Sequence, residues 1–292
     1  MLEEKVYGRL SRLALAMPHK SSMNMAGSRK SLHKGISAEF SDFREYMPGD
    51  DLRRLDWNVY ARSDRMYIRE YMEEKEAVVN VVLDTSASMD FGKEKKSDLA
   101  VDLAAVRADL PLQSMARVIL YDMKEMQRPF PVGGGKNTFA RVLKWLEGRK
   151  FSGSCDMLAS LKKMQKRGAG ITVIISDFLH PSMLENEGES FEKVLKYLSF
   201  CKQKPILLQT LSGEELRVDM DGTRNLIDME SEKKLRITMD DAAIKSYEAE
   251  LKAFTGRLRQ GAKRARGAYV LCDSGKDRNH LIFEDLRVLY DI

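Results

Sequence analysis

The 292-residue chain is short of cysteine, proline and long apolar runs, and each shortage removes a class of protein. Its three cysteines, Cys155, Cys201 and Cys272, are odd in number and widely scattered, which excludes a disulfide framework. The four histidines, His19, His33, His180 and His280, stand too far apart for a zinc spacing. The longest apolar runs are Leu13–Met17 and Ala268–Cys272, five residues each, far below the length of a bilayer-spanning helix. Five apolar residues before Pro18 also cannot serve as the hydrophobic region of a secretory signal. These absences are read as a cytoplasmic protein. No Ser-His-Asp order, paired catalytic carboxylates or nucleotide-binding glycine fingerprint stands out, so the reading is of a protein that is not an enzyme. Gly133-Gly134-Gly135-Lys136-Asn137-Thr138 fails the phosphate-loop pattern, because Asn137 follows the lysine where Ser or Thr is required. It is read as a turn before a helix that Thr138 helps to start.

What is present is a soluble globular balance, with 43% hydrophobic and 32% charged residues. At this length about three quarters of the unfolded chain's surface can be buried, so the core needs no covalent or metal staple. The net charge of +5 concentrates in two acid-free stretches. One runs from Lys5 to Ala38. The other is Lys252, Arg257, Arg259, Lys263, Arg264 and Arg266 on an expected helix. They are read as a solvated tail and helix face. The rival reading is a nucleic-acid or anionic-membrane-surface binder using both segments.

The pattern from residue 77 onward alternates strand and helix. Strands are expected at 77–84, 117–123, 171–176, 205–210 and 268–272, with short ones near 226–229 and 235–238. Helices are expected at about 97–110, 138–147, 156–167, 183–201 and 239–265, with a last one at the end of the chain. Such alternation implies an α/β fold, a mostly parallel sheet covered by helices on both faces. Residues 1–76 read as an N-terminal extension, with a short helix at 2–16 and a strand at 66–71. Residues 77–292 read as one domain. In the extension, Pro48-Gly49-Asp50-Asp51 reads as a turn, with an Asp capping a short helix that carries Leu52, Leu55 and Trp57. Phe43 and Trp57 are expected to anchor this block into a core.

Ligands of an open α/β sheet collect beyond the C-terminal strand ends. Two strands deliver oxygen-bearing side chains there, Asp84-Thr85-Ser86-Ala87-Ser88 and Ser176-Asp177. A carboxylate and two hydroxyls on one tight loop, with a second carboxylate from another strand, can face one Mg²⁺, which keeps several waters. The alternative is that Asp84 and Ser88 cap the following turn.

Val81 to Met89, V-V-L-D-T-S-A-S-M, resembles the metal-ion-dependent adhesion site loop of von Willebrand factor type A domains. Phe43 to Trp57, F-R-E-Y-M-P-G-D-D-L-R-R-L-D-W, with Ala61-Arg62 and Ile68-Arg69-Glu70, is similar to the signature of the bacterial family called domain of unknown function 58. The likeness extends through Ile175-Ser176-Asp177 and Leu226–Glu230. The resemblance implies a three-layer, Rossmann-like type A-like domain with Asp84, Ser86, Ser88 and Asp177 around Mg²⁺. It also implies a threonine in a G-x-T-x-L segment. The best match is Gly153-Ser154-Cys155-Asp156-Met157, which puts Cys155 at the threonine position. A thiol is a soft, poor partner for Mg²⁺ and weakens the site, unless Ser154 substitutes. The partner implied is a MoxR-type AAA+ ATPase, with an acidic side chain of that partner at the metal.

Overall fold

A computed structural model describes residues 39–72, 78–113, 117–132, 138–164, 168–180, 183, 189–218, 222–227 and 234–289. The expected helix at 2–16, the first basic stretch and the glycine turn at 133–137 lie outside them. The chain divides into two compact units, one within Lys20–Glu76 and the other holding Ala77–Ile292.

In the smaller unit, β1 (Glu39–Glu45) pairs antiparallel with β2 (Tyr67–Met72). The expected single helix is two pieces. Asp51 caps a 3-10 turn at Leu52–Arg54, and Asp56 caps α1 (Trp57–Ser63) by accepting from the N–H groups of Asn58 and Val59. Leu55, extended between them, is buried and bridges to Ile68. The expected anchors are corrected by this arrangement. Phe43 is 42% exposed and Trp57 62%, because a two-stranded hairpin and one short helix offer few positions to bury, and Leu55 and Ile68 take them. Trp57 stands edge-on to Tyr60 one turn along, and Phe43 edge-on to Tyr67 across the hairpin. The mixed charges of this block do form a polar network. Arg44 bridges to Asp50 at 2.8 Å and Arg69 to Asp56 at 2.8 Å.

The larger unit is built on a six-stranded sheet of β3 (Val78–Leu83), β4 (Arg117–Asp122), β5 (Phe130–Val132), β6 (Gly170–Ser176), β7 (Gln203–Leu211) and β10 (Ala268–Asp273). Their order is β10-β7-β6-β3-β4-β5, and every neighbouring pair is parallel except β4 with β5. The three-residue β5 carries Pro131 and sits at the sheet edge, where a missing N–H is tolerated. A separate antiparallel pair, β8 (Gly222–Ile227) with β9 (Lys234–Met239), precedes the long helix.

The period of two along each strand splits the core between the two faces. Val79, Val81 and Leu83 of β3, with Val118, Leu120, Val173, Ile175 and Leu208, pack against α2 (Lys96–Gln113), α3 (Thr138–Glu147) and α8 (Arg278–Phe283). Val82, Ile119, Ile174 and Leu207 face the other way, against α4 (Met157–Lys162), α5 (Glu189–Phe200) and α7 (Asp241–Arg264). The result is a mostly parallel sheet between two helical layers, as the alternating pattern implies. The strand β3 lies between β4 and β6, and the chain visits β4 before crossing back to β6. That reversal places a topological switch point at the C-terminal end of β3.

The edge strand β10 depends on a close backbone approach. A Cβ on Gly267 would stand 1.9 Å from the carbonyl oxygen of Pro205 and 2.8 Å from its ring. Substitution Gly267→Ala must therefore push β10 away from β7. We expect a loss of about 3 kcal/mol, at the upper end of overpacking costs, read from the urea midpoint.

Candidate functional site

The strand-end rim gathers the sequence-predicted residues. Asp84 directly follows β3, and its N–H continues the ladder to the carbonyl of Ile175 at 2.9 Å. One carboxylate oxygen, Oδ1, accepts from the backbone N–H of Ser86 at 2.9 Å, and the other, Oδ2, accepts from the Ser176 hydroxyl at 2.6 Å. The hydroxyls of Ser86 and Ser88 face each other at 3.1 Å. Asp84 thus makes a local Asx-type turn, part of the capping alternative. Ser86, at the N-cap of the next 3-10 turn (Ala87–Asp90), makes no side-chain cap bond, so its hydroxyl is turned to Ser88 instead.

A neighbouring loop is stitched onto this one by backbone atoms. The Ser152 N–H donates to the Thr85 carbonyl at 3.0 Å, and the Ala87 N–H donates to the Gly153 carbonyl at 2.7 Å. The loop thereby brings Cys155 to the rim, where its thiol donates to Asp84 Oδ1 at 3.4 Å. Cys155, half-buried, faces Asp84, whereas Ser154 is exposed. Thr85 points the other way and donates to Asp122, at the end of β4, at 2.6 Å. Asp122 is also paired with Arg149 at 3.3 Å, and the Arg149 guanidinium lies 4.4 Å from the Trp145 ring centre.

Asp177, directly after β6, is fully engaged. Its Oδ1 accepts from the Leu179 N–H at 3.0 Å, and its Oδ2 from the Lys96 ammonium at 2.8 Å. The same ammonium donates to Glu215 Oε1 at 2.7 Å. Glu215 lies in α6 (Gly213–Leu216), where it completes a reciprocal capping box with Ser212. Burial alone would depress the Lys96 ammonium, but the charges of Asp177 and Glu215 hold its pKa above the ordinary lysine value. Burial pushes the Glu215 carboxyl up, and Lys96 only partly offsets it.

Burial also raises the Asp84 carboxyl, with the negative charge of Asp177 as the second cause, against the bonds from Ser176 and Ser86. A carboxyl whose folded pKa is raised binds its proton more tightly in the native state. Stability from Asp84 is therefore complete below its unfolded value of 3.8 and is lost as pH rises through the folded value. The variant Asp84→Asn is accordingly expected to be more stable than the parent at neutral pH. The two denaturation curves are expected to converge under acid conditions.

The fit to Mg²⁺ divides along this line. Two oxygens bound cis to one Mg²⁺ stand about 3 Å apart, and the Ser86 and Ser88 hydroxyls have that separation beside the Asp84 carboxylate. These three residues suit a hard cation. Asp177 does not, because a full cation, the Lys96 ammonium, holds its Oδ2, whereas the Asp84 oxygens accept only from neutral N–H, O–H and S–H donors. The Cys155 thiol is spent on Asp84 and is chemically ill-matched to Mg²⁺. Among the described residues no group of three or more His, Cys, Asp or Glu is placed to hold a metal ion.

Lys96 and Glu215 are the site residues that sequence reading missed. Lys96 sits in Lys93-Glu94-Lys95-Lys96, which looks like a solvated charge run. The helix expected from about 97 starts one residue earlier, at Lys96, so the sequence reading does not place this lysine where it opposes the helix dipole.

The second basic stretch, on α7, is partly neutralised. Arg257 pairs with Glu250 and Arg264 with Glu192 of α5, while the Arg259 guanidinium lies over the Tyr269 ring. Among the described residues no helix is long and apolar enough to cross a membrane.

Comparison with known proteins gives a consistent result. A family model described as protein of unknown function DUF58 matches residues 42–255. Uncharacterized protein Rv1480 of Mycobacterium tuberculosis and uncharacterized protein Mb1516 of Mycobacterium bovis are each 31% identical over 188 residues, 61% of this chain. The matched stretch spans 59% of the length of these curated relatives. Among solved structures, conserved hypothetical protein BatB from Bacteroides thetaiotaomicron has a TM-score of 0.41 at 12% identity, covering 74% of this chain and 100% of its own. An aerotolerance-related membrane protein from Bacteroides fragilis, crystallised with multiple mutations to serine, has a TM-score of 0.39 at 14% identity, covering 74% of this chain and 98% of its own.

Proposed function

Because the chain belongs to the family of proteins of unknown function DUF58, we propose that it is a non-enzymatic interaction module that docks a protein partner at the strand-end rim. The observation that carries this reading is the convergence of Asp84, Ser86, Ser88 and the 152–155 loop on one sheet edge, at the switch point of the topology. The carboxylates of the rim are spent on fixing turns and on an ion pair, which suits recognition.

Asp84 fixes the turn of its loop through the Ser86 N–H, and Ser176 fixes Asp84. The hydroxyls of buried Ser86 and half-buried Ser88 are thereby held side by side near a buried carboxylate. Mg²⁺, when bound, would be held by Asp84, Ser86 and Ser88 and would supply a directional position for an acidic side chain of the partner. The type A-like resemblance of the Val81–Met89 segment supports that reading. The family resemblance carried by the signature block at 43–57 implies a MoxR-type AAA+ ATPase as the partner, with this chain as adaptor or cofactor in assembling or maturing protein complexes.

Biolayer interferometry with the purified cognate ATPase tests this. Association is expected to weaken at least about tenfold with EDTA and by a similar factor for Asp84→Ala, the loss of one charge-assisted contact. Equal association of parent, chelated protein and variant would remove the rim from the docking site.

A further inference from the structure

The rim contains a positive charge that the docking reading leaves without a role. Lys96 is fully buried, at 0% exposure, and is the first residue of α2. Its ammonium joins three separate elements, because Asp177 follows β6 and Glu215 belongs to α6. Burial of a lysine is rare unless it is paired, and here both partners are within 2.8 Å. Both aspartates accept hydrogen bonds at both oxygens, but the donors to Asp84 are all neutral, whereas one of the two to Asp177 is a full cation. A divalent cation brought to the same carboxylate would meet a fixed like charge across a short, poorly solvated distance.

We propose that Lys96 is a resident cation that saturates the Asp177 arm of the rim, leaving a cation site with one carboxylate of its own, Asp84, whose second must arrive from outside. The inference rests on the docking reading for the identity of that site. Lys96 acts through Asp177 and is a positioning residue. Its effect is on selectivity. A cation alone has only Asp84 and two neutral hydroxyls and binds weakly. A cation arriving with an acidic side chain gains the missing charge, so the two ligands favour each other's binding. Metal retention is then tied to occupancy by a partner.

The experiment uses the full chain with Mn²⁺ as the probe, and reads affinity by water-proton relaxation with no partner present. The control conserves charge: the double variant Lys96→Met/Asp177→Asn removes one positive and one negative charge and is expected to bind Mn²⁺ within about twofold of the parent. Lys96→Met frees a carboxylate and is expected to tighten Mn²⁺ binding about tenfold or more, the effect of adding one charge to the ligand set. Its thermal midpoint is expected to rise with added MnCl₂ more than the parent's does, which a merely structural ion pair would not produce. A folded Lys96→Met that binds no tighter than the parent overturns the proposal, as does a double variant that keeps the full tightening. Should Lys96→Met fail to fold, Lys96→Met/Glu215→Gln, which strands one carboxylate fewer, takes its place. These readings involve metal only, so a failure of ATPase association with unchanged Mn²⁺ affinities would count against the docking reading and not against Lys96.

Discussion

Replacement of Lys96 by methionine is expected to cost about 3–5 kcal/mol of folding stability, the range for breaking a buried ion pair by removing one partner. The Asp177 side chain is 3% exposed and that of Glu215 is 15%, so the substitution strands two carboxylates away from water. Methionine matches the aliphatic length of lysine, and little packing is lost with the charge. The effect is therefore electrostatic, and it is reversible in a defined way. Adding Glu215→Gln to Lys96→Met is expected to recover part of the loss, because one of the two stranded charges disappears. Urea denaturation of the parent, both single variants and the double variant forms the cycle that measures this coupling. A fully additive cycle would mean that Lys96 and Glu215 are not energetically linked.

The second large effect is at Phe178. This residue follows Asp177, has φ of 61°, and is 1% exposed among Val82, Ile174 and Leu207. A left-handed backbone costs a non-glycine residue about 1–2 kcal/mol. The bend is maintained by bonds on either side, from the Phe178 N–H to the Ser176 hydroxyl and from the Leu179 N–H to Asp177. It redirects the chain just after β6 and Asp177. Phe178→Ala is expected to destabilise by about 3–5 kcal/mol through loss of the buried ring. Phe178→Gly loses the same ring but relieves the backbone, and it is expected to be about 1 kcal/mol less damaging than alanine. At ordinary positions glycine is the worse substitution. The inverted order, measured by chemical denaturation, is the signature of the strained bend, and the usual order would show that the bend stores nothing.

The fold of the larger unit was legible because its strands are β-branched runs buried on both faces. Val78–Leu83 and Ile171–Ser176 could be recognised as neighbours of a parallel sheet without knowing their partners. The aspartates ending these strands were legible for the same reason, since the strand period dictates where the chain leaves the sheet. The short paired strands β2, β8 and β9 were legible in part, whereas β5 and β1 were not. The strand β5 has three residues and a proline, and β1 is a polar segment that becomes a strand only by pairing with β2. Trp57 and Phe43 were misread because size was taken as a reason for burial, whereas burial depends on what surface is available. Lys96 escaped because its meaning lies in two carboxylates from distant elements, and no local pattern encodes that meeting.

The stitching of the 152–155 loop has a consequence for how recognition can diversify. It is secured to the neighbouring turn by main-chain groups of Ser152, Gly153, Thr85 and Ala87, and by the Lys124 ammonium reaching the Ser152 carbonyl. Amides and carbonyls are common to nearly all residue types, so the exposed side chain at Ser154 contributes nothing to holding the loop in place. Mutation there can redraw the face shown to a visitor while the scaffold beneath stays in position. On the proposed docking reading, a lineage could exchange clients at that spot without having to rebuild its footing.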